Sequence, residues 1–574
     1  MGESGRKDRS KNNRNVLFIM CDQLRFDYLG CYGHPFLHTP NIDMIAARGV
    51  RFTNAYVQSP ICGPSRMSVY TGRYVRSHGS SANGVPLRVG EPTLGDHLKE
   101  IGVRTVLIGK THMAADVEGM KRLGLDPRSI IGVETAQCGF DPYERDDGVH
   151  TDGGPKDLAY NEYLRSLGYG ADNPWEHWAN SAEAPDGRVL DGSLLSHADR
   201  PSRIPEEHSE TSYMTRRAIE FMHEAEAAGG PWCAHLSYIK PHWPYIAPEP
   251  YHALYGREDI KPVIRNASER EDAHPVFAAF QSDRVSRAFS RDEVRERVIP
   301  CYMGLIKQID DQLGVLFSFM EQAGLFENTM VVFTSDHGDY LGDHWLGEKQ
   351  LFHDQSVKVP LIIYDPRHDA NSARGTVSDK LVELIDLAPT FLDFFGGGAK
   401  PHILEGRSLV PLLKGVEPED WRTFSVSEYD YAWDHARLEL NVAVPDCRMV
   451  MISDGRWKYI EIPNFRPMLF DLLSDPDELE DLGAKASCRE IRDRMRNLIF
   501  KWYQGSRNRI TYPDEKIVEL GRRSQQYDRN LDGGVKIGYW DESELRHEFE
   551  KRKNAIQTGA WVDQITTKNK GEQS

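Results

Sequence analysis

From Asn15 onward the chain alternates short, wholly apolar runs with longer stretches in which apolar residues recur every three or four positions. The runs NVLFIMCD, VRTVLIGK, PWCAHLSYI, TMVVFTSD and VPLIIYD lack a polar alternate position, as strands covered on both faces do. The stretches TPNIDMIAARG, SYMTRRAIEFMHEAEA, YMGLIKQIDDQLGVLFSFMEQAG and LVELIDLAPTFLDFFGG have helical spacing and glycine stops. Alternation of the two predicts an α/β fold, a mostly parallel central sheet between helical layers.

The same pattern divides the chain. Residues 1–14 are polar, and residues 15–415 carry the α/β alternation. Within it, between about Arg122 and Pro205, the periodicity fades into Gly, Asp, Pro and aromatic residues, a length of irregular chain that belongs to binding loops or a lid. Beyond about Gly415, WRTFSVSEYD and then CRMVMISDGRWKYIEI, with its Asp-Gly turn, predict antiparallel strands, and CREIRDRMRNLIFKWYQG supplies a helix to cover them. These make a smaller C-terminal α+β unit over 416–521. The arm from 522 to 574 is polar, only YWDESELRHEFEKRK is helix-like, and its length suits an oligomer contact.

Composition narrows the function. A chain of 574 residues exceeds the size at which one core keeps growing, so a large domain with a smaller companion is expected. A net charge of −17 with scattered Lys and Arg argues against nucleic-acid binding, while leaving room for a locally positive pocket and a small anionic substrate. No apolar run reaches the length of a membrane helix, so no membrane contact is expected. The N-terminus lacks the apolar core of a secretory signal, which predicts a cytoplasmic protein. Eight cysteines without a C-x-x-C pair fit neither a disulfide scaffold nor a zinc ribbon.

In open α/β sheets the working residues gather beyond the carboxyl ends of the strands. Polar clusters stand there: Asp22 and Gln23, Lys110 and His112, Asp336 and His337, and His242. Any one cluster also reads as a helix cap or a surface loop. Together, Asp22, Gln23, Asp336 and His337 form a mostly oxygen ligand set for a hard divalent ion such as Ca²⁺ or Mg²⁺, the imidazole tilting the choice toward Mn²⁺. Lys110, His112, His242 and Lys349 would hold a tetrahedral oxyanion and move a proton to its leaving group, or else form a solvated rim. In PICGPSRMSVYTG, Pro64 at a first helical position and Gly72 as a stop predict a short helix, with Cys62 near its positive end and Arg66 able to turn toward it. That end of the helix favours an anionic group or transition state; a thiolate nucleophile would also suit the place, and a buried inert thiol is the blander reading.

Cys62-Gly63-Pro64-Ser65-Arg66, followed by TGRY, resembles the C-x-P-S-R signature of the type I, formylglycine-dependent sulfatases of the alkaline phosphatase superfamily. NVLFIMCDQLRFDYLGCYG, LIGKTHM, PHWPY, VVFTSDHGDYLGDHWLGEK and LFDLLSDPDELEDLG resemble further landmarks of that family in the same order. The resemblance implies an alkaline-phosphatase-like sheet domain with a small C-terminal sheet. It also implies that a maturation enzyme converts Cys62 to formylglycine, and that Asp22, Gln23, Asp336, His337 and residue 62 hold one divalent ion, Ca²⁺ or Mn²⁺. Arg66 would orient residue 62, Lys110 and Lys349 would bind the ester's oxygens, and His242 would protonate the leaving group. His112 would help collapse the covalent intermediate, and Asn83 would contact the oxyanion. Hydrolysis of sulfate monoesters is the expected activity.

The Asp22-Gln23 and Asp336-His337 pairs are closer to bacterial phosphonate monoester hydrolases and choline sulfatases, as are DRPSRIPEEHSETSYMTRRAIEF and KPHWPYIAPEPYHALYGREDI. That likeness makes phosphonate monoester or phosphodiester hydrolysis the alternative and implies a homo-oligomer, dimer or tetramer. Lys110, His112 and Ser65 follow the sulfatase pattern instead.

Overall fold

The computed structural model describes residues 14–148, 150 and 158–527. The polar N-terminal segment is described only at Arg14, and the helix expected in YWDESELRHEFEKRK lies outside the described residues. By packing, the chain divides into two units, Met1–Asn508 and Arg509–Ser574. A helix over Asp514–Tyr527 belongs to the second.

The first unit is built on an eight-stranded sheet. Its strands are β1 (Asn15–Asp22), β2 (Val50–Tyr56), β3 (Arg104–Gly109), β4 (Asp141–Arg145), β5 (Trp232–Pro241), β6 (Thr329–Ser335), β7 (Leu361–Tyr364) and β8 (Thr376–Glu383). Their order is β8-β2-β7-β6-β1-β5-β3-β4, and β7 alone runs against its neighbours. β1 lies inside the sheet with every residue buried. Successive side chains enter opposite cores: Val16, Phe18 and Met20 on one face, Leu17, Ile19 and Cys21 on the other. That is why its sequence is a continuous apolar run rather than an alternating one.

Helices cover both faces. α1 (Pro40–Arg48), α3 (Glu210–Ala228) and the long α4 (Asp292–Ala323) place Ile42, Phe221 and Leu305 in one core. α2 (Cys62–Thr71) and α5 (Leu387–Phe394) place Met67 and Phe391 in the other. Gly72 and Gly324 close α2 and α4 in the left-handed conformation at φ 64 and 71, the glycine stops read from the sequence.

Three strands carry no clear signal in the sequence pattern. β2 and β8 are only partly buried, and β4 is an edge strand inside the stretch expected to be irregular. LVELIDLAPTFLDFFGG is correspondingly not one helix: Leu381, Val382 and Glu383 finish β8 by pairing with Asn54, Ala55 and Tyr56, and α5 begins one turn later. A run that is apolar at nearly every position satisfies both templates, and strand pairing decides it here.

The C-terminal part of this unit is an antiparallel sheet of β9 (Ser425–Asp430), β10 (Arg448–Ser453), β11 (Trp457–Glu461) and β12 (Met468–Asp471), in that order. Val426, Val450, Ile452, Tyr459 and Leu469 face α6 (Arg489–Gln504) and pack on Met495, Ile499 and Trp502. The alternate residues Met449, Met451, Ile460, Met468 and Phe470 join the core under the large sheet, so the small sheet is apolar on both sides. Buried Lys458 on β11 pairs with Asp354 at 2.7 Å and Glu478 at 2.6 Å across that contact.

β3 packs close against β5 at Gly109, φ 107, where an added Cβ would lie 2.0 Å from the Ser237 carbonyl oxygen. Gly109→Ala is therefore expected to destabilise the protein by about 2 kcal/mol or more and to displace Lys110, the next residue. Urea unfolding checks the first effect and turnover the second.

Candidate active site

β1, β3, β5 and β6 run parallel and end on one side of the sheet; β1 ends on Asp22, and the loops leaving the four strands supply Gln23, Lys110 and His112, His242, and Asp336 and His337. α2 arrives at the same place after β2. Its first helical residue is Cys62 itself rather than Pro64: Ile61 is the extended cap, and the Ser65 N–H closes the first turn on the Ile61 carbonyl. Pro64 sits within that turn, where an N–H has no partner inside the helix. The Gly63 N–H donates to Asn83 Oδ1 at 2.8 Å, and a side chain at 63 would collide with that oxygen at 2.9 Å. Asn83 is thus at the mouth of the helix, with its amide oxygen engaged.

Around Cys62, single donor atoms of Asp22, Asp336, His337 and Cys62 lie within 4.8 Å of one another. Cys62 Sγ is 3.0 Å from His337 Nε2 and 3.7 Å from Asp22 Oδ1. His337 Nδ1 faces the Gly338 carbonyl at 2.9 Å, a contact that orients the ring with Nε2 toward Cys62. Gln23 completes the group: its Oε1 accepts from Lys349 Nζ at 2.9 Å, and Lys349 Nζ is 3.3 Å from Cys62 Sγ. All of these side chains are buried. Two carboxylates and an imidazole nitrogen drawn together, with the Gln23 amide oxygen reached through Lys349, fit a hard divalent cation.

Three cations oppose the two carboxylates. The Arg66 guanidinium, fully buried, donates Nε to Asp336 Oδ2 at 2.7 Å and an NH2 to Asp22 Oδ2 at 3.2 Å. Its NH1 is held by the Lys110 carbonyl at 3.0 Å and Ser237 Oγ at 2.8 Å. Lys110 Nζ reaches Asp22 Oδ2 at 2.6 Å. Burial and the charge at residue 62 push the Asp22 carboxyl up, but Lys110, His242 and Arg66 outweigh them and hold it below its ordinary range. Burial likewise raises the Cys62 thiol, and Lys349, His337 and Lys110 overcome it, leaving the thiol well below its usual value. In the opposite sense, burial weakens the Lys349 ammonium, and the anionic groups at residues 62 and 348 restore it above the ordinary lysine range. Position 62 is therefore a place built for negative charge.

His242 lies at the rim. Its Nδ1 faces the Trp243 carbonyl, and Nε2 is 4.0 Å from Asp22 Oδ1. The His112 backbone N–H, at φ 55, is fixed by Asp147 Oδ1 at 2.8 Å, and its Nδ1 is buried without a hydrogen-bond partner. The structure thus brings every residue singled out in the sequence to one site, Asn83 at its edge. Sequence reasoning missed the residues behind them: Asp339 and Tyr245, which hold the Gln23 amide, Asp147 behind His112, and Ser237 behind Arg66. Asp339 stands in the FTSDHGD motif and Tyr245 in PHWPY, so position in a motif was the available signal; Asp147 and Ser237 have none.

The family described as Sulfatase matches residues 14–397, and the family described as N-sulphoglucosamine sulphohydrolase, C-terminal, matches residues 342–504. The chain is 32% identical to the multifunctional alkaline phosphatase superfamily protein PehA of Trinickia caryophylli, over 84% of this chain and 93% of that protein. It is 28% identical to an arylsulfatase of Clostridium perfringens, over 86% and 94%. Among solved structures, the phosphonate monoester hydrolase of Silicibacter pomeroyi superposes with a TM-score of 0.75 at 26% identity, over 87% of this chain and 97% of that one.

Removing Arg66 would leave Asp22 and Asp336 buried without the cation they share. Arg66→Ala is expected to cost about 3–5 kcal/mol, read as a loss of thermal stability, with Arg66→Lys recovering only part because a point charge cannot fork between two carboxylates.

Proposed function

The chain belongs to the sulfatase family and hydrolyses sulfate esters, and from that premise we propose which of its residues carry the reaction. The observation that supports the reading most directly is Cys62 at the start of α2, in contact with His337 and Lys349 and flanked by Asp22. Cys62, once converted to formylglycine by a maturation enzyme, would supply a hydrated aldehyde as nucleophile, and a divalent ion, Ca²⁺ or Mn²⁺, would supply positive charge against the ester's oxygens. Asp22, Gln23, Asp336 and His337, with residue 62, would hold that ion.

The chain's own groups do the rest. Arg66 fixes both aspartates and so the position of α2 against them. Lys110 and Lys349 offset charge on the sulfate oxygens as the leaving bond stretches. His242, its Nδ1 committed to a carbonyl, presents Nε2 to protonate the departing alcohol oxygen. His112 takes up the proton whose loss expels sulfate. Asn83 keeps its amide nitrogen free for the substrate oxyanion, since its oxygen is spent on Gly63.

A second reading, hydrolysis of phosphonate monoesters or phosphodiesters, is favoured by the Gln23 and His337 pattern and by the likeness to phosphonate monoester hydrolases, including that of Agrobacterium radiobacter at a TM-score of 0.74. Both esters offer a singly charged tetrahedral anion to the same cations, so some activity on each is part of the proposal. Among the described residues no helix is long and apolar enough to cross a membrane. A cytoplasmic homo-oligomer, dimer or tetramer, completes it, with 15–415 as the catalytic domain, 416–521 as the smaller unit and 522–574 as an oligomer contact.

On protein with Cys62 conversion confirmed by peptide mass, kcat/KM is expected to be higher for an aryl sulfate than for the matched phosphonate monoester and phosphodiester, with Ca²⁺ or Mn²⁺; a lead for either phosphorus ester would move the protein to the second reading. For His242→Ala, a loss of about 10²–10⁴ is expected on esters with poor leaving groups and much less on activated aryl esters. Equal losses on both would remove His242 as the acid.

A further inference from the structure

We propose that Asp339 is a positioning residue that decides which end of the Gln23 amide faces the metal site. The proposal rests on the reading of Gln23 as a ligand. The main chain of Gln23 is pinned in the left-handed region at φ 65: its N–H donates to Asp336 Oδ1 at 3.0 Å and its carbonyl accepts from the Tyr302 hydroxyl at 2.7 Å. With the backbone fixed and the side chain fully buried, the remaining choice is a half-turn of the amide, whose two ends have nearly the same shape. Partners decide it. Nε2 donates to Asp339 Oδ2 at 2.6 Å and to the Tyr245 hydroxyl at 3.3 Å, and Oε1 accepts from Lys349 Nζ at 2.9 Å. Turning the amide would set its oxygen against a carboxylate and its NH₂ against an ammonium.

Asp339 can act in this way because it is itself fixed. Its Oδ1 accepts the Leu341 N–H at 2.9 Å, and its Oδ2 receives both the Tyr245 hydroxyl, at 2.7 Å, and the Gln23 amide. Asp339 is wholly buried, and these partners are neutral donors. An acidic residue at 23 would therefore point a second carboxylate at Asp339. Positions 23 and 339 form a matched pair, in which a carboxylate at one requires an amide at the other.

The test is Mn²⁺ titrated calorimetrically into the chelator-stripped full-length chain. In Asp339→Asn the Leu341 N–H still claims the side-chain oxygen, so the new NH₂ faces Gln23 and turns its amide. Mn²⁺ binding is expected to weaken by about 10–100-fold. Gln23→Glu alone is expected to weaken it as well, and the double variant Gln23→Glu with Asp339→Asn to return to within about threefold of the unaltered chain. Asp339→Asn binding Mn²⁺ as the unaltered chain does, or a double variant no better than its singles, would overturn the proposal. Gln23→Glu binding more tightly than the unaltered chain would do so even if Asp339→Asn failed to fold. Gln23→Ala separates the premise: unchanged Mn²⁺ binding there would mean that Gln23 is no ligand, whereas weakened binding with Asp339→Asn unaffected would remove the positioning role alone.

Discussion

The structure depends on holding the Asp22 and Asp336 carboxyl groups buried side by side. Two carboxylates at the ends of neighbouring strands repel, and burial adds a desolvation cost that neither can bear alone. The Arg66 guanidinium answers both by forking between them, and its remaining N–H groups are claimed by Lys110 and Ser237. Because the fork has fixed geometry, it sets the distance between β1 and β6 on one side and α2 on the other. The position of Cys62 follows from that of Arg66, one helical turn later in the same helix.

This arrangement keeps the site rigid by spending unusual backbone on it. Gln23 and His112 have positive φ, and so do Leu341, His344, Trp345, Glu348 and Gln350 in the loop that carries Lys349. Such conformations persist only where surrounding contacts over-determine them. Here they do: Asp343 pairs with Arg25 at 2.6 Å, His344 Nδ1 meets Glu269 at 2.7 Å, and the Trp345 indole donates to the Asn266 carbonyl at 2.7 Å. The Lys349 ammonium is delivered to residue 62 by a loop fastened at several points rather than by a free side chain searching for its partner.

The central strands were legible in the sequence because burial on both faces leaves a continuous apolar run, as in β1 and β6, and the glycine stops of α2 and α4 were legible because a left-handed residue admits little else. The residues that meet at the site were legible as polar positions just past those runs. The half-buried β2 and the edge strand β4 were not, since their outward positions tolerate any polar residue, and the helix read into LVELIDLAPTFLDFFGG shows that an apolar run cannot by itself choose between periods. The supporting residues were harder still. Ser237 lies within an apolar strand and Asp147 in an irregular stretch, and each acquires its role only when folding brings Arg66 or His112 to it.

The fixed charges also bear on which ester is favoured. Arg66 is committed to the aspartates, the Lys110 carbonyl and Ser237, so in the proposed reaction Lys110 and Lys349 are the cations left for the substrate, and Lys110 is itself shared with Asp22. A site of this kind recognises a tetrahedral monoanion by charge and shape, and on those two properties sulfate monoesters and phosphonate monoesters differ little. What differs is the atom that carries the third substituent: phosphorus in a phosphonate monoester bears a carbon group where sulfate bears an oxygen. In the proposed reaction Lys110, His112 and Asn83 meet the substrate, and ammonium, imidazole and amide groups there would lose a hydrogen-bonding partner if carbon replaced oxygen beside them. In that reaction the side of the site where Lys110 and His112 stand is where the two esters would be told apart by hydrogen bonding.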